Sequence, residues 1–165
     1  MKTIAFVDAA NIILSAKRAR IEIDFIRLKA YLVDKFELDE IYYFTANLEF
    51  LRNELIILEE NNFHIIIKDI YYENSITKAN CDVEIAHYIT KIIEKGNVLK
   101  IILLSGDGDF SILIDYAHNQ GIETVLMPTD IKTSSKVLRI KKYLKITFLD
   151  QIINKIGKEK TIANT

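Results

Sequence analysis

The sequence predicts an α/β domain whose mainly parallel sheet of about five or six strands carries helices on both faces. Three observations predict it. Short apolar runs alternate with longer amphipathic stretches along nearly the whole chain. The short runs are apolar throughout, as in strands buried on both faces. The 165 residues, 50% hydrophobic and 27% charged, suit one core and one ordinary domain. Strands that alternate with helices pair in parallel, through right-handed crossovers.

The elements follow in order. Residues 3–7 form a buried-strand pattern. Asp24 is placed to cap a helix whose apolar face is Ile26, Leu28, Tyr31, Leu32 and Phe36. Residues 41–45 form a second strand, and 48–61 a helix with Leu51, Leu55, Ile56 and Leu58 inward. Residues 64–72 make a third strand around Ile65, Ile66 and Ile67. A helix over 82–95 aligns Ile85, Ile89, Ile92 and Ile93 and ends at Gly96. The fourth strand is 99–104. A helix over 109–120 is closed by Gly121, then come a strand at 122–127, a helix at 134–143 and a short edge strand at 145–149. The domain is expected to span 1–153, with 154–165 a polar tail that frays.

Composition narrows the function. One proline and five glycines leave no low-complexity or linker segment, and 22 basic against 23 acidic side chains exclude a histone-like coat. Local basic patches remain compatible with that balance. The single cysteine, Cys81, can form neither an internal disulfide nor a cysteine-based zinc site, which fits a cytoplasmic protein. Asp8 and Asn11 interrupt the apolar start that a signal peptide needs. Apolar runs such as 101–104 are far too short to span a bilayer. The many isoleucines leave enough apolar surface for a homodimer face without locating one.

Parallel sheets bind ligands beyond the carboxyl ends of their strands. Asp8 and then Asn11 follow the first strand, in Phe6-Val7-Asp8-Ala9-Ala10-Asn11-Ile12. Ser105-Gly106-Asp107-Gly108-Asp109-Phe110 follows the fourth, and Asp82 opens the helix before it. Carboxylates converging at one mouth repel each other unless a cation joins them, and oxygen-only ligands select Mg²⁺ or Mn²⁺. Gly106 and Gly108 are expected to turn the backbone sharply so that Asp107 and Asp109 both face the mouth. The plainer reading makes Asp109 a helix cap and Asp107 a turn residue.

At these residues the sequence resembles the NYN domain, a branch of the PIN-like nuclease superfamily. The likeness runs from about residue 2 to 153. It rests on Val7-Asp8-Ala9-Ala10-Asn11-Ile12, Cys81-Asp82-Val83-Glu84-Ile85-Ala86 and Leu104-Ser105-Gly106-Asp107-Gly108-Asp109-Phe110. Gly121-Ile122-Glu123-Thr124-Val125 and Ser134-Ser135 followed by Leu138 complete it. The resemblance implies a PIN-like three-layer domain that binds Mg²⁺ or Mn²⁺ and cleaves RNA, single-stranded or structured. It also implies an acidic cluster of Asp8, Asp82, Asp107 and Asp109, with Asn11 orienting the first carboxylate or the substrate. Many relatives carry a further Asp six positions after the one matched by Asp82. Here that position is Tyr88, with Glu84 as a partial substitute, so the number of metals is open.

For substrate binding the candidates are Asn11, Lys78, Ser105 and the start of the Ser134 helix, with Thr133, Ser134, Ser135 and Lys136. The two serines serve equally as helix caps. Lys17, Arg18 and Arg20, and Arg139, Lys141, Lys142 and Lys145, either follow an RNA backbone or form solvated faces. Among Tyr42, Tyr43, Tyr71 and Tyr72, strand alternation sends half to the core. His87 reads as a partly exposed helix residue. The competing functions are a non-cleaving RNA-binding or protein-interaction module, which Tyr88 favours, and two phosphotransfer folds. A haloacid-dehalogenase site needs an acid where Ala10 stands, and a Toprim site needs Glu in place of Asp8.

Overall fold

The computed structural model describes residues 1–47, 49–69, 72–73, 76–77 and 80–159. In chain order its elements are β1 (Lys2–Asp8), α1 (Ala9–Ala19), α2 (Phe25–Phe36), β2 (Glu40–Ala46), α3 (Arg52–Glu60), β3 (His64–Lys68), β4 (Tyr72–Glu73), β5 (Ile76–Thr77), α4 (Asp82–Glu94), β6 (Val98–Leu104), α5 (Ser111–Asn119), β7 (Glu123–Leu126), α6 (Lys136–Arg139), β8 (Lys145–Ile146) and α7 (Ile153–Ile156).

Alternation along the strands divides the core in two. In β1, Ala5 and Val7 face one side and Ile4 and Phe6 the other. The first side is covered by α1, α2 and α3 through Ile12, Leu28, Leu32 and Leu58, and by Ile156 of α7. The second is covered by α4, α5 and α6 through Ile85, Ile89, Ile114 and Leu138. The sheet between them has the order β3-β2-β1-β6-β7-β8, and every pairing in it is parallel. This is the three-layer α/β architecture the sequence predicts. Connections run outward in one direction from β1 to β3 and in the other from β6 to β8. The order therefore reverses between β1 and β6, which opens a crevice at their carboxyl ends.

Local signals act as the sequence implies at several ends. Asp24 accepts hydrogen bonds from the N–H groups of Ile26 and Arg27 at the start of α2. Gly96 and Gly121 take φ of 68° and 73° after α4 and α5, where a side chain would be strained.

Other expectations are corrected. The sequence reading contains no helix at 9–19, yet α1 follows β1 directly with Asp8 as its cap. Ile56 was expected inward, but it is 47% exposed, because α3 rests on the sheet mainly through Leu58. The third strand stops at Lys68 rather than 72, and Tyr72 instead belongs to β4, antiparallel to β5. The helix expected at 134–143 contracts to the four residues of α6. The one expected from 109 begins as a 3-10 turn at Gly108–Phe110 before α5.

The fraying expected beyond 153 is not what the described residues do. Ile156 is fully buried, its carbonyl accepts from the N–H of Asp24 at 2.8 Å, and the carbonyl of Gly157 accepts from the Arg27 guanidinium at 2.9 Å. Residues 160–165 of the expected tail lie outside the described residues. No helix among the described residues is long and apolar enough to cross a membrane.

Candidate functional site

The crevice is built by two strand ends and one helix start. Asp8 is the last residue of β1 and only 2% exposed. One carboxylate oxygen accepts from the Asn11 N–H at 3.2 Å, and the other accepts from the Ser105 hydroxyl at 3.0 Å. The Ser105 oxygen in turn accepts from the Asp107 N–H at 3.2 Å. Asn11 reaches the same loop, its Oδ1 accepting from the Gly106 N–H at 3.0 Å. These bonds tie the end of β1 to the end of β6.

Above this base stand three more acids. Asp82 is the first residue of α4, and Asp107 and Asp109 lie on the loop after β6. One carboxylate oxygen from each lies within 4.8 Å of the others. Asp107 also caps its own turn by accepting from the Asp109 N–H at 2.9 Å, so the cap is Asp107 and not Asp109. Capping and membership of the acidic group coexist in one side chain.

The glycines of this loop work differently from expectation. Neither Gly106 nor Gly108 has a positive φ. They permit close approach instead. A Cβ on Gly106 would lie 2.4 Å from the Thr133 carbonyl oxygen, and one on Gly108 would lie 2.6 Å from the Ser135 hydroxyl. The loop after β7 thus packs against the acidic loop, and the Ser135 N–H donates to the Gly106 carbonyl.

Crowding and burial act on the acids together. Burial pushes the Asp8 carboxyl up to about 6, against the hydrogen bonds from Asn11 and Ser105, and the charges of Asp82 and Asp107 add to the rise. Asp82 is also raised, first by burial and then by Asp107 and Asp109, with Lys68 opposing. Cys81 beside them is 2% exposed and its thiol is pushed up to about 11, chiefly by burial, which makes it a poor thiolate donor.

The expected substrate contacts divide. Asn11 is half-buried at the mouth, and Lys136 is exposed at the start of α6. Ser105 does not face a substrate, since it is fully buried between Asp8 and Asp107. Ser134 is 4% exposed, and a four-residue α6 has too few aligned peptides to make a phosphate-binding helix end. Ser135 is half-buried and abuts Gly108. Lys78 lies outside the described residues, as does Tyr71. Of the basic runs, Lys141 pairs with Asp115 and Lys145 with Glu123, while Lys17, Arg18 and Arg20 are exposed. Tyr43 is core, and Tyr42 stacks between Phe6 and His64.

Tyr88, at the position where relatives often carry Asp, packs edge-on to Phe44 and lines a hollow with Tyr42, His64 and Asp39. That hollow lies toward the amino ends of β2 and β3, away from the acids. The sequence reading overlooked Lys68 and Asn80. Lys68, the last residue of β3, bonds to the Asn80 carbonyl at 2.9 Å and pairs with Glu84 at 3.2 Å. The Asn80 amide donates to Asp82 at 2.8 Å. Asking what closes the third strand would have found Lys68. Glu84 is thereby committed to Lys68.

Fold and site together define a three-layer α/β domain with an acid-lined crevice at its topological switch point. The chain belongs to the NYN domain family, whose model matches residues 2–147. NYN domains are a branch of the PIN-like nuclease superfamily, generally act as nucleases on nucleic acid and typically use divalent metals. Among solved structures the chain is similar to a protein of unknown function from Vibrio parahaemolyticus, at 22% identity and a TM-score of 0.72, covering 88% of this chain and 92% of that one. Comparison with curated proteins gives no match.

Proposed function

We propose that this protein is a metal-dependent ribonuclease that hydrolyses RNA phosphodiester bonds at the acidic crevice, with Mg²⁺ or Mn²⁺ as cofactor. The observation that carries this reading is the approach of Asp82, Asp107 and Asp109 to within 4.8 Å, above a buried Asp8. The donor set suits such an ion. It is all oxygen, it is anionic, and its neighbouring thiol stays protonated.

Asp82, Asp107 and Asp109 would hold the ion, with Asp8 adding charge from beneath. When bound, a hard divalent ion supplies Lewis acidity that acidifies an attacking water and offsets charge gathering on the phosphate. Asn80 and the Asp107 cap hold the carboxylates in place before substrate arrives. Asn11 has its carbonyl oxygen fixed by Gly106, which leaves its amide N–H groups for a phosphate oxygen. Lys136 stands beside the loop as a cation for the RNA backbone.

The test is cleavage of mixed RNA and DNA by pure protein with Mn²⁺, Mg²⁺ or EDTA, comparing wild type with Asp107→Asn. Wild type is expected to cut RNA only with the ion, and the variant to lose on the order of several powers of ten in rate. Equal cutting by both preparations overturns the assignment. RNA binding without cutting by either supports the non-cleaving module.

A further inference from the structure

Two surfaces on opposite faces of the sheet complement each other in charge and hydropathy. We propose that α1 of one copy of this chain docks into the groove between α4 and α5 of the next, joining copies head to tail. The inference stands apart from the ribonuclease reading and is tested without RNA.

The donor surface is the outer stripe of α1. Ala10, Ile13, Leu14, Lys17 and Arg18 recur at the spacing of one helix face, and all are exposed. Ile13 and Leu14 are 41% and 52% exposed, because the core takes Ile12 and Ala16 instead. No acid occurs from Ala9 to Arg20. Arg20 is exposed as well. The hollow beside the helix adds Lys158, Glu22 and Glu54, so the balance around α1 stays cationic.

The receiving surface is a groove of about 840 Å³. One wall is α4, where Asp82, Ala86, Thr90 and Glu94 follow one another along a single side. The other is Ile112, Leu113 and Tyr116 of α5. Ile112 is 82% exposed, and Val83 is 74% exposed. Among the described lining residues there is no Lys or Arg. Asp82 and Asp109 stand at one end of the groove, and Glu94, the last residue of α4, at the other.

These properties decide the occupant. An RNA backbone would take the cations of α1 and leave Ile13 and Leu14 in water. An anionic lipid surface would be repelled by the groove. A second copy satisfies both surfaces. The groove has apolar walls for Ile13 and Leu14, and carboxylates for Lys17 and Arg18 whichever way the helix runs. α1 packs on the sheet face opposite α4 and α5, so a chain cannot fill its own groove. Two copies joined once still present a free α1 and a free groove. The contact is heterologous and continues into a ring or a filament.

The experiment is sedimentation velocity in EDTA, which leaves the carboxylates charged. Wild type is expected to grow past the dimer as its concentration rises, and to dissociate more readily in high salt. Leu14→Asp disables α1. Val83→Asn with Ile112→Asn disables the groove. All three positions are exposed, and thermal melting checks that both variants fold. Each should weaken association on the order of ten-fold or more, the scale of one large apolar side chain left in water. The decisive sample is the two variants mixed. The intact α1 of the groove variant should fill the intact groove of the α1 variant, and assembly should stop at a 1:1 dimer.

A wild type that stays monomeric at about 1 mM overturns the proposal. So does a variant that associates as wild type does, which would give that surface to another ligand. A mixture that stays monomeric, or that grows past the dimer, overturns the head-to-tail pairing of these two surfaces.

Discussion

Replacing Asp8 by Asn should favour the metal-free protein increasingly as pH rises to 8, through an electrostatic gain that disappears in acid. The folded carboxyl titrates at about 6 against 3.8 for an unperturbed Asp. Between those values the folded state binds more protons than the unfolded state, so stability falls as pH rises through that window. At about 1.4 kcal/mol per pH unit, keeping Asp8 ionised in the fold costs about 3 kcal/mol by pH 8. Asn keeps the size and still accepts from the Asn11 N–H. Its other end meets a Ser105 oxygen that already receives the Asp107 N–H. That local change is present at every pH. It cancels when the gap between variant and wild type at pH 8 is compared with the gap at pH 4. The difference of gaps should be about 2.5 kcal/mol, since the unfolded carboxyl is already partly ionised at pH 4, or roughly 5–10 °C in Tm for a domain of this size. Urea and thermal melts in EDTA across pH 4–8 measure it. Saturating Mn²⁺ should reverse the order at pH 8, because the ion stabilises the wild type by mass action and the variant less. A gap that stays constant with pH, or grows on acidification, would refute the claim that Asp8 is an ion held against its burial.

Gly106→Ala should destabilise the fold by about 1–3 kcal/mol in urea melts, since its Cβ would sit 2.4 Å from the backbone oxygen of Thr133 and neither backbone can retreat alone. Lys68→Met removes the cation that opposes the rise at Asp82. Mn²⁺ affinity measured by calorimetry should therefore rise severalfold, with an unchanged or lower affinity counting against Lys68 as a resident counter-charge. Tyr88→Asp sets an acid against Phe44 and Tyr42. Stability should drop by about 2 kcal/mol with no gain in Mn²⁺ affinity, and a tighter ion would mean that this position does reach the acids.

What the sequence made legible was whatever depends on local pattern. The apolar runs located the sheet, Asp24 announced α2, and Gly96 and Gly121 marked two helix ends through backbone conformations that chain chemistry alone requires. The acids Asp82, Asp107 and Asp109 were found because ligands gather beyond strand ends in this topology. α1 has no clean apolar periodicity to announce it, because its buried stripe is Ala9, Ile12, Ser15 and Ala16, with a polar member. Ser15 is tolerated there because its hydroxyl bonds to the Asn11 and Ile12 carbonyls and meets Thr129. The roles of Gly106 and Gly108 depend on which loop lies opposite, and no local pattern carries that. Lys68 escaped for the same reason, since its partners Asn80 and Glu84 are supplied by the start of another helix.

The bond from Ser105 to Asp8 joins residues 97 positions apart, and that separation has a consequence in time. A nascent chain that has emerged through β3 can already set β1 beside β2 and β2 beside β3. In such a chain the edge of β1 that β6 covers is open, and the Ser105 partner of Asp8 is missing. Only when β6 docks along that edge is Asp8 enclosed, and the same event delivers Asp107 and Asp109 to Asp82. A chain stalled before residue 105 carries none of the assembled crevice. The crevice therefore exists only where the middle of the sheet is closed, with β6 paired to β1.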